Sequence, residues 1–316
     1  MTTGVSRATR TSLALLLGLA CAGCPPAGSP DEPSVGGTSD ASPLVVFTVN
    51  YPLAYFAERI GGDLVRVELP APEDGDPAFW SPDAETIVAY QEADLILLNG
   101  AGYAGWTTRA TLPSSKLVDT SAGFRDRYLV VEDAATHTHG PEGEHAHGTV
   151  AFNTWLDPML ALEQARAIRD ALQRARPDSS ERLNAGMAAL ELDLLRLDES
   201  LAEAAGRFRG QPIVASHPVY QYLAARYDLD LHSVHLEPGE DPGPAGWRDL
   251  SDLLGRYPAR FMLWEGEPLD ETRRRLEQAG LTVAVYELCG NRPRDGDWLS
   301  VMQNNVADFA RVAAGR

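Results

Sequence analysis

Four of the seven histidines fall in one short stretch, His137-Thr138-His139-Gly140-Pro141-Glu142-Gly143-Glu144-His145-Ala146-His147-Gly148. Two His-x-His pairs flank a segment of Gly, Pro and Glu that favours neither helix nor strand. Imidazole is a ligand for zinc, copper, nickel and iron, and carboxylates add hard oxygen donors and negative charge. A segment of this composition buries no core, and short His-rich tracts read as metal-binding. His137, His139, His145 and His147 are therefore expected to be loop metal ligands. The bland alternative is a solvated loop or a chance cluster.

The elements that carry such a loop come from a chain of 316 residues, long enough for one large core or two medium ones, with two favoured. Its formal charge of -18, with Lys116 the single lysine, repels phosphate backbones and excludes nucleic acid as a partner. The same charge attracts cations at long range. Residues 1–24 read as an export signal: Arg7 and Arg10, then an apolar core from Leu13 to Ala20 too short to span a bilayer. Ala22-Gly23-Cys24 resembles a bacterial lipoprotein signal, although Cys21 stands where leucine is usual. Cys24 would become the lipidated residue anchoring the chain to a membrane of the cell envelope. With Cys21 removed and Cys24 lipidated, Cys289 has no partner for a disulfide. Residues 25–43, rich in Pro, Gly, Ser and Asp, read as a disordered tether.

Apolar runs at 44–49, 64–69, 93–99 and 116–119 read as strands alternating with helices, which argues for a parallel sheet covered on both faces. Ser81-Pro82 is expected to open one of those helices, with Ser81 as its cap. Leu183, Met187, Leu190, Leu194, Leu197 and Leu201 recur at spacings of three and four, predicting a helix from Ser180 to about Phe208. It is either a stiff linker between two α/β halves or an ordinary surface helix. The strand grammar then repeats: Pro212–Ser216 ends at His217, Phe261–Trp264 at Glu265, and Leu281–Tyr286 at Glu287. Ligands of open parallel sheets bind outside the carboxyl ends of strands, so these three residues carry extra weight. His232 and His235 read as strand or surface residues. Ser216-His217 lacks a nucleophile elbow, no phosphate-binding glycine loop occurs, and no enzyme activity is expected.

At this point the chain resembles the zinc- and manganese-binding solute receptors of bacterial ABC importers. The resemblance rests on Tyr51-Pro52-Leu53-Ala54, Ile60-Gly61-Gly62-Asp63, Ala93-Asp94-Leu95-Ile96 with Asn99-Gly100, Trp155-Leu156-Asp157-Pro158, Ser216-His217-Pro218-Val219 and Glu237-Pro238. It implies an α/β fold of two lobes, each a parallel sheet flanked by helices, joined by one long linking helix. The expected boundaries are 44–178 for the N-terminal lobe, 179–209 for the linking helix and 210–316 for the C-terminal lobe. It also implies a Zn2+ or Mn2+ ion, or another divalent transition metal, held in the cleft, and an ABC permease as the membrane partner of a monomeric receptor.

The chain departs from that pattern at two ligand positions. Asp76-Pro77 is followed by Ala78 where the resemblance implies histidine, and Asn153 stands where a second histidine is implied. His217 is kept, and Glu287 matches the implied carboxylate. The expected cleft ligands are thus His217, Glu287 and Asn153, with Glu265, Cys289, Asp76 and Trp80 as further candidates. Cys289 lies two residues beyond Glu287, so in extended chain both would share a face. Three readings of the altered site stay open: a rebuilt metal site, a pocket for a bulkier metal chelate or other small ligand beside Phe79 and Trp80, or capture moved to the His-rich loop. The expected function is an extracytoplasmic receptor for zinc, with a metal buffer or chaperone lacking a permease as the alternative.

Overall fold

The protein is described here by a computed structural model covering residues 42–131, 136–138, 144–146 and 150–313. The signal segment with Cys24, nearly all of the tether, and His139 and His147 lie outside the described residues. Among the described residues, no helix is long and apolar enough to cross a membrane.

The first sheet is built from β1 (Leu44–Thr48), β2 (Val65–Glu68), β3 (Leu95–Leu98) and β4 (Leu117–Asp119), in the order β2-β1-β3-β4 and parallel throughout. Helix α1 (Tyr51–Gly61) follows β1: Asn50 accepts a hydrogen bond from the Leu53 amide, Pro52 sits in the first turn, and Gly62 at φ 53° ends it. That positive φ is open to glycine at no steric cost. Helix α2 (Ala84–Glu92) starts later than the sequence suggested. Its cap is Asp83, whose carboxylate accepts from Thr86 N at 2.8 Å, rather than Ser81.

The His-rich segment contains a short antiparallel pair, β5 (Thr136–Thr138) and β6 (Glu144–Ala146), in which His137 is the register partner of His145. After it, Asp157 caps α3 (Pro158–Ala175), accepting from Met159 N at 2.8 Å. Helix α4 (Ser180–Gly206) has 27 residues, and the six apolar positions counted in the sequence are all buried. The second sheet holds β7 (Ile213–Ala215), β8 (Leu231–Ser233), β9 (Phe261–Trp264) and β10 (Thr282–Val285), again all parallel, in the order β10-β9-β7-β8. Helices α5 (Gln221–Tyr227), α6 (Gly243–Arg256), α7 (Asp270–Gln278) and α8 (Trp298–Ala313) complete it.

Helix α4 does more than connect. It packs on α1 and α3 beside the first sheet and on α8 beside the second. One hydrophobic cluster runs from Val46 and Ile96 through Leu190 and Leu194 to Ile213, Leu263 and Ala284, so both sheets share an interior. Burying each such leucine or isoleucine is worth about 1.5–3 kcal/mol. Gly186 permits the close approach of α1: a Cβ there would lie 2.5 Å from the Ile60 carbonyl oxygen and 2.9 Å from that of Arg59. The half-buried Arg59–Asp193 pair, 2.6 Å apart, joins the same two helices.

Candidate metal centre

Three strand ends of the second sheet deliver the polar residues. Strand β7 stops at Ala215, and Ser216 extends its pairing by donating its amide to Leu263 O at 2.9 Å. The Ser216 hydroxyl then accepts from Glu265 N at 3.0 Å, fixing the residue that follows β9 against the one that precedes His217. His217 is 3% exposed. Its Nδ1 lies 3.9 Å from a Glu265 carboxylate oxygen, an ion-pair distance. The chain after β8 continues alongside: Val234 N bonds Ala215 O and Leu236 N bonds Ser216 O. This run brings the His235 ring edge-on to His217, with centroids 5.6 Å apart. Trp264 donates from Nε1 to Pro238 O at 3.3 Å, which ties Glu237-Pro238 to the same rim.

The first half supplies the opposite wall. Asp76 accepts from Ala78 N at 2.8 Å and, through its carbonyl, from Phe79 N and Trp80 N, forming a tight turn. Asn291 of the second half holds this loop, with its Nδ2 near Pro72 O, Glu73 O and Gly75 O at 2.7–3.3 Å. Asn153 is 5% exposed and donates its amide nitrogen to Val219 O at 3.2 Å. Trp155 donates to Leu288 O at 2.8 Å, and Tyr51 N to Gly290 O at 2.9 Å. The cleft is thus bridged by hydrogen bonds on several sides.

Between the walls lies a cavity of about 510 Å³ that touches His217, Glu265, Asp76, Glu237, Asn153 and Trp80. Burial pushes the Glu265 carboxyl up from 4.5 to about 8, helped by the negative charges of Asp76 and Glu237. A carboxyl that resists ionising beside other carboxylates is one that a divalent cation would relieve.

The expected ligands are not all brought to this place. Glu287 is exposed and lines an adjoining cavity of about 350 Å³, not the one that holds His217. It lies two residues past the end of β10, its backbone clamped by Asn305, which donates to Glu287 O and accepts from Glu287 N. Cys289 also lines the adjoining cavity, but at φ 54° it is left-handed backbone, not the extended chain that would align it with Glu287. Burial and the nearby Glu287 and Asp297 charges push its thiol well up, so it holds its proton. Asp76, Asn153 and Glu265 border both cavities. Among the described residues, no three His, Cys, Asp or Glu side chains converge closely enough to hold a metal ion by themselves.

Residues that the sequence reading passed over include His235, treated there as a surface residue, and the positioning groups Ser216 and Asn291. Glu237 was quoted only within a motif, and its place beside His217 and Glu265 was not foreseen. His232 is occupied elsewhere, bonded to Asp230 at 2.8 Å and stacked on Tyr257.

Comparison with known proteins bears on the fold and the family. The chain is 26% identical over 275 residues to the zinc-binding lipoprotein AdcA of Streptococcus pneumoniae serotype 4, covering 83% of this chain and 54% of that one. It therefore spans about half the length of the curated relatives of that type. The crystal structure of the Zn(II)-bound ZnuA-like domain of Streptococcus pneumoniae AdcA superposes with a TM-score of 0.71 at 22% identity, covering 85% of this chain and 98% of that one. The metal-dependent lipoprotein YcdH of Bacillus subtilis gives a TM-score of 0.71 at 20% identity, covering 85% and 98%. These two likenesses establish the fold, two parallel four-stranded sheets flanked by helices. Residues 46–312, which hold both sheets, α4 and the strand ends around the cavity, match the family described as zinc-uptake complex component A, periplasmic (ZnuA), and the chain belongs to that family.

Proposed function

We propose that this protein is an extracytoplasmic, lipid-anchored receptor that captures zinc between its two sheets and delivers it to an ABC permease. The observation that carries this reading is the pair of buried His217 and half-buried Glu265, set at adjacent strand ends and backed by Asp76 and Glu237. An imidazole and a carboxylate are both zinc donors, and the surrounding negative charge favours a dication over water. Capture replaces the proton on Glu265 with the metal, and release reverses that exchange; no covalent bond is made or broken. Ser216 positions the Glu265 backbone and Asn291 holds the opposite wall, so little rearrangement accompanies binding. Cys24 would anchor the chain near the permease, and the His-rich segment would supply a second set of donors.

Calorimetric titration of the metal-free protein with zinc tests the reading. A submicromolar site, worth more than ~8 kcal/mol, is expected in the parent and lost in His217→Ala. Affinity no tighter than about millimolar, ~4 kcal/mol, or a tight site untouched by His217→Ala, overturns it.

A further inference from the structure

We propose that the cleft accepts zinc as a complex with a small, nitrogen-donor chelator of amino-acid size, the protein supplying only part of the coordination shell. The inference deepens the metal-receptor reading and rests on it.

The donors that the described residues bring to this cavity are too few for a closed site. Zinc takes four ligands in tetrahedral geometry. His217 and Glu265 provide two, and among the described residues no group of three His, Cys, Asp or Glu is arranged to hold a metal ion. Ala78 has no donor atom. Asn153 offers only a neutral amide oxygen, a poor donor to zinc beside imidazole and carboxylate. Cys289 lines the other cavity. A bidentate ligand brought with the metal would complete the shell.

The space points the same way. A water molecule takes up about 30 Å³ of liquid, whereas the cavity beside His217 is about 510 Å³. That lies in the range of roughly 300–1,000 Å³ used for organic ligands. Its wall is partly aromatic: Phe79 stands edge-on to Phe152 at 6.1 Å, and Trp80 to Trp106 at 6.3 Å. Such a surface serves a ring better than it serves a hydrated ion.

Charge selects the class of chelator. Asp76, Glu237 and Glu265 all face this space, which disfavours a polycarboxylate chelator that would make the complex anionic. A one-to-one complex of zinc with an amino-acid anion keeps a net positive charge. Its carboxylate also has a donor available next door. Tyr103 is 5% exposed in the adjoining cavity, and its hydroxyl makes no hydrogen bond among the described residues. A buried hydroxyl left without a partner costs ~1–3 kcal/mol, and a ligand oxygen would remove that cost.

The test uses the full, metal-free chain with three probes: zinc chloride, L-histidine, and the two together with the histidine radiolabelled. Equilibrium dialysis is expected to retain one histidine per protein only when zinc is present. Apparent zinc affinity should rise by about tenfold with histidine over its value with zinc alone. Label retention should be lost in His217→Ala and reduced in Tyr103→Phe, a variant that removes one oxygen and keeps the ring. If histidine strips zinc from the protein, or if label is retained equally by a His217→Ala variant that has lost its submicromolar zinc site, the chelate inference falls while the metal-receptor reading stands. If neither zinc nor zinc with histidine binds, both fall.

Discussion

Replacing Glu265 with glutamine should stabilise the metal-free protein while weakening its hold on zinc. The fold raises this carboxyl from 4.5 to about 8, so ionising it in the folded state is costly. The sign follows from linkage: the cost is absent below the ordinary value of 4.5 and grows as pH rises towards 8. At ~1.4 kcal/mol per pH unit the ceiling is about 5 kcal/mol. With 26% of the side chain exposed, water screens part of the penalty, leaving roughly 2–3 kcal/mol. For a chain of this size that corresponds to a melting shift of about 5 °C. Thermal melts of wild type and Glu265→Gln in the presence of a chelator, at pH 5 and pH 8, are the assay. The variant's advantage should be small at pH 5 and about 5 °C at pH 8, and zinc should raise the wild type more than the variant. Equal differences at the two pH values would show that Glu265 ionises as an ordinary surface carboxylate, and the electrostatic account of the cleft would fail.

Two further outcomes follow from the packing. Gly186→Ala should destabilise the fold by about 1–3 kcal/mol, because its Cβ would meet backbone oxygens of α1 that cannot swing aside, and denaturant titration reads the change. Cys289 should resist a thiol reagent at pH 8 in the native protein and react quickly once guanidinium unfolds it, whether or not zinc is present; rapid native labelling would contradict its burial.

Much of the scaffold was legible because its signals are local. The apolar runs at β1 and β3, the Asp157-Pro158 start of α3, and the leucine spacing of α4 each act within a few residues. His217 and Glu265 were legible by position, since both follow strands of a parallel sheet. The misreadings came where two local signals competed or where distant segments meet. Ser81 and Asp83 are both good caps, and it is Asp83 that caps α2. Glu287 was expected in the cleft with His217, and the turn after β10 places it on the adjoining cavity, which shares Asp76, Asn153 and Glu265 with the first. His235 sits in an alternating run that reads as surface, and only the hydrogen bonding of residues 234–236 along the end of β7 brings it to His217. The meeting of Asp76, Glu237 and Glu265 joins three stretches remote in sequence, and no periodicity encodes that.

The interior held in common by the two sheets has a consequence for inheritance. A recombinant that took its first 178 residues from one parent and the remainder from another would have to match side chains along the whole length of α4, on both flanks at once. The halves look like interchangeable modules by topology, but they are obliged to travel together, and any retuning of the cargo must arise from substitutions at the cleft rather than from exchange of lobes.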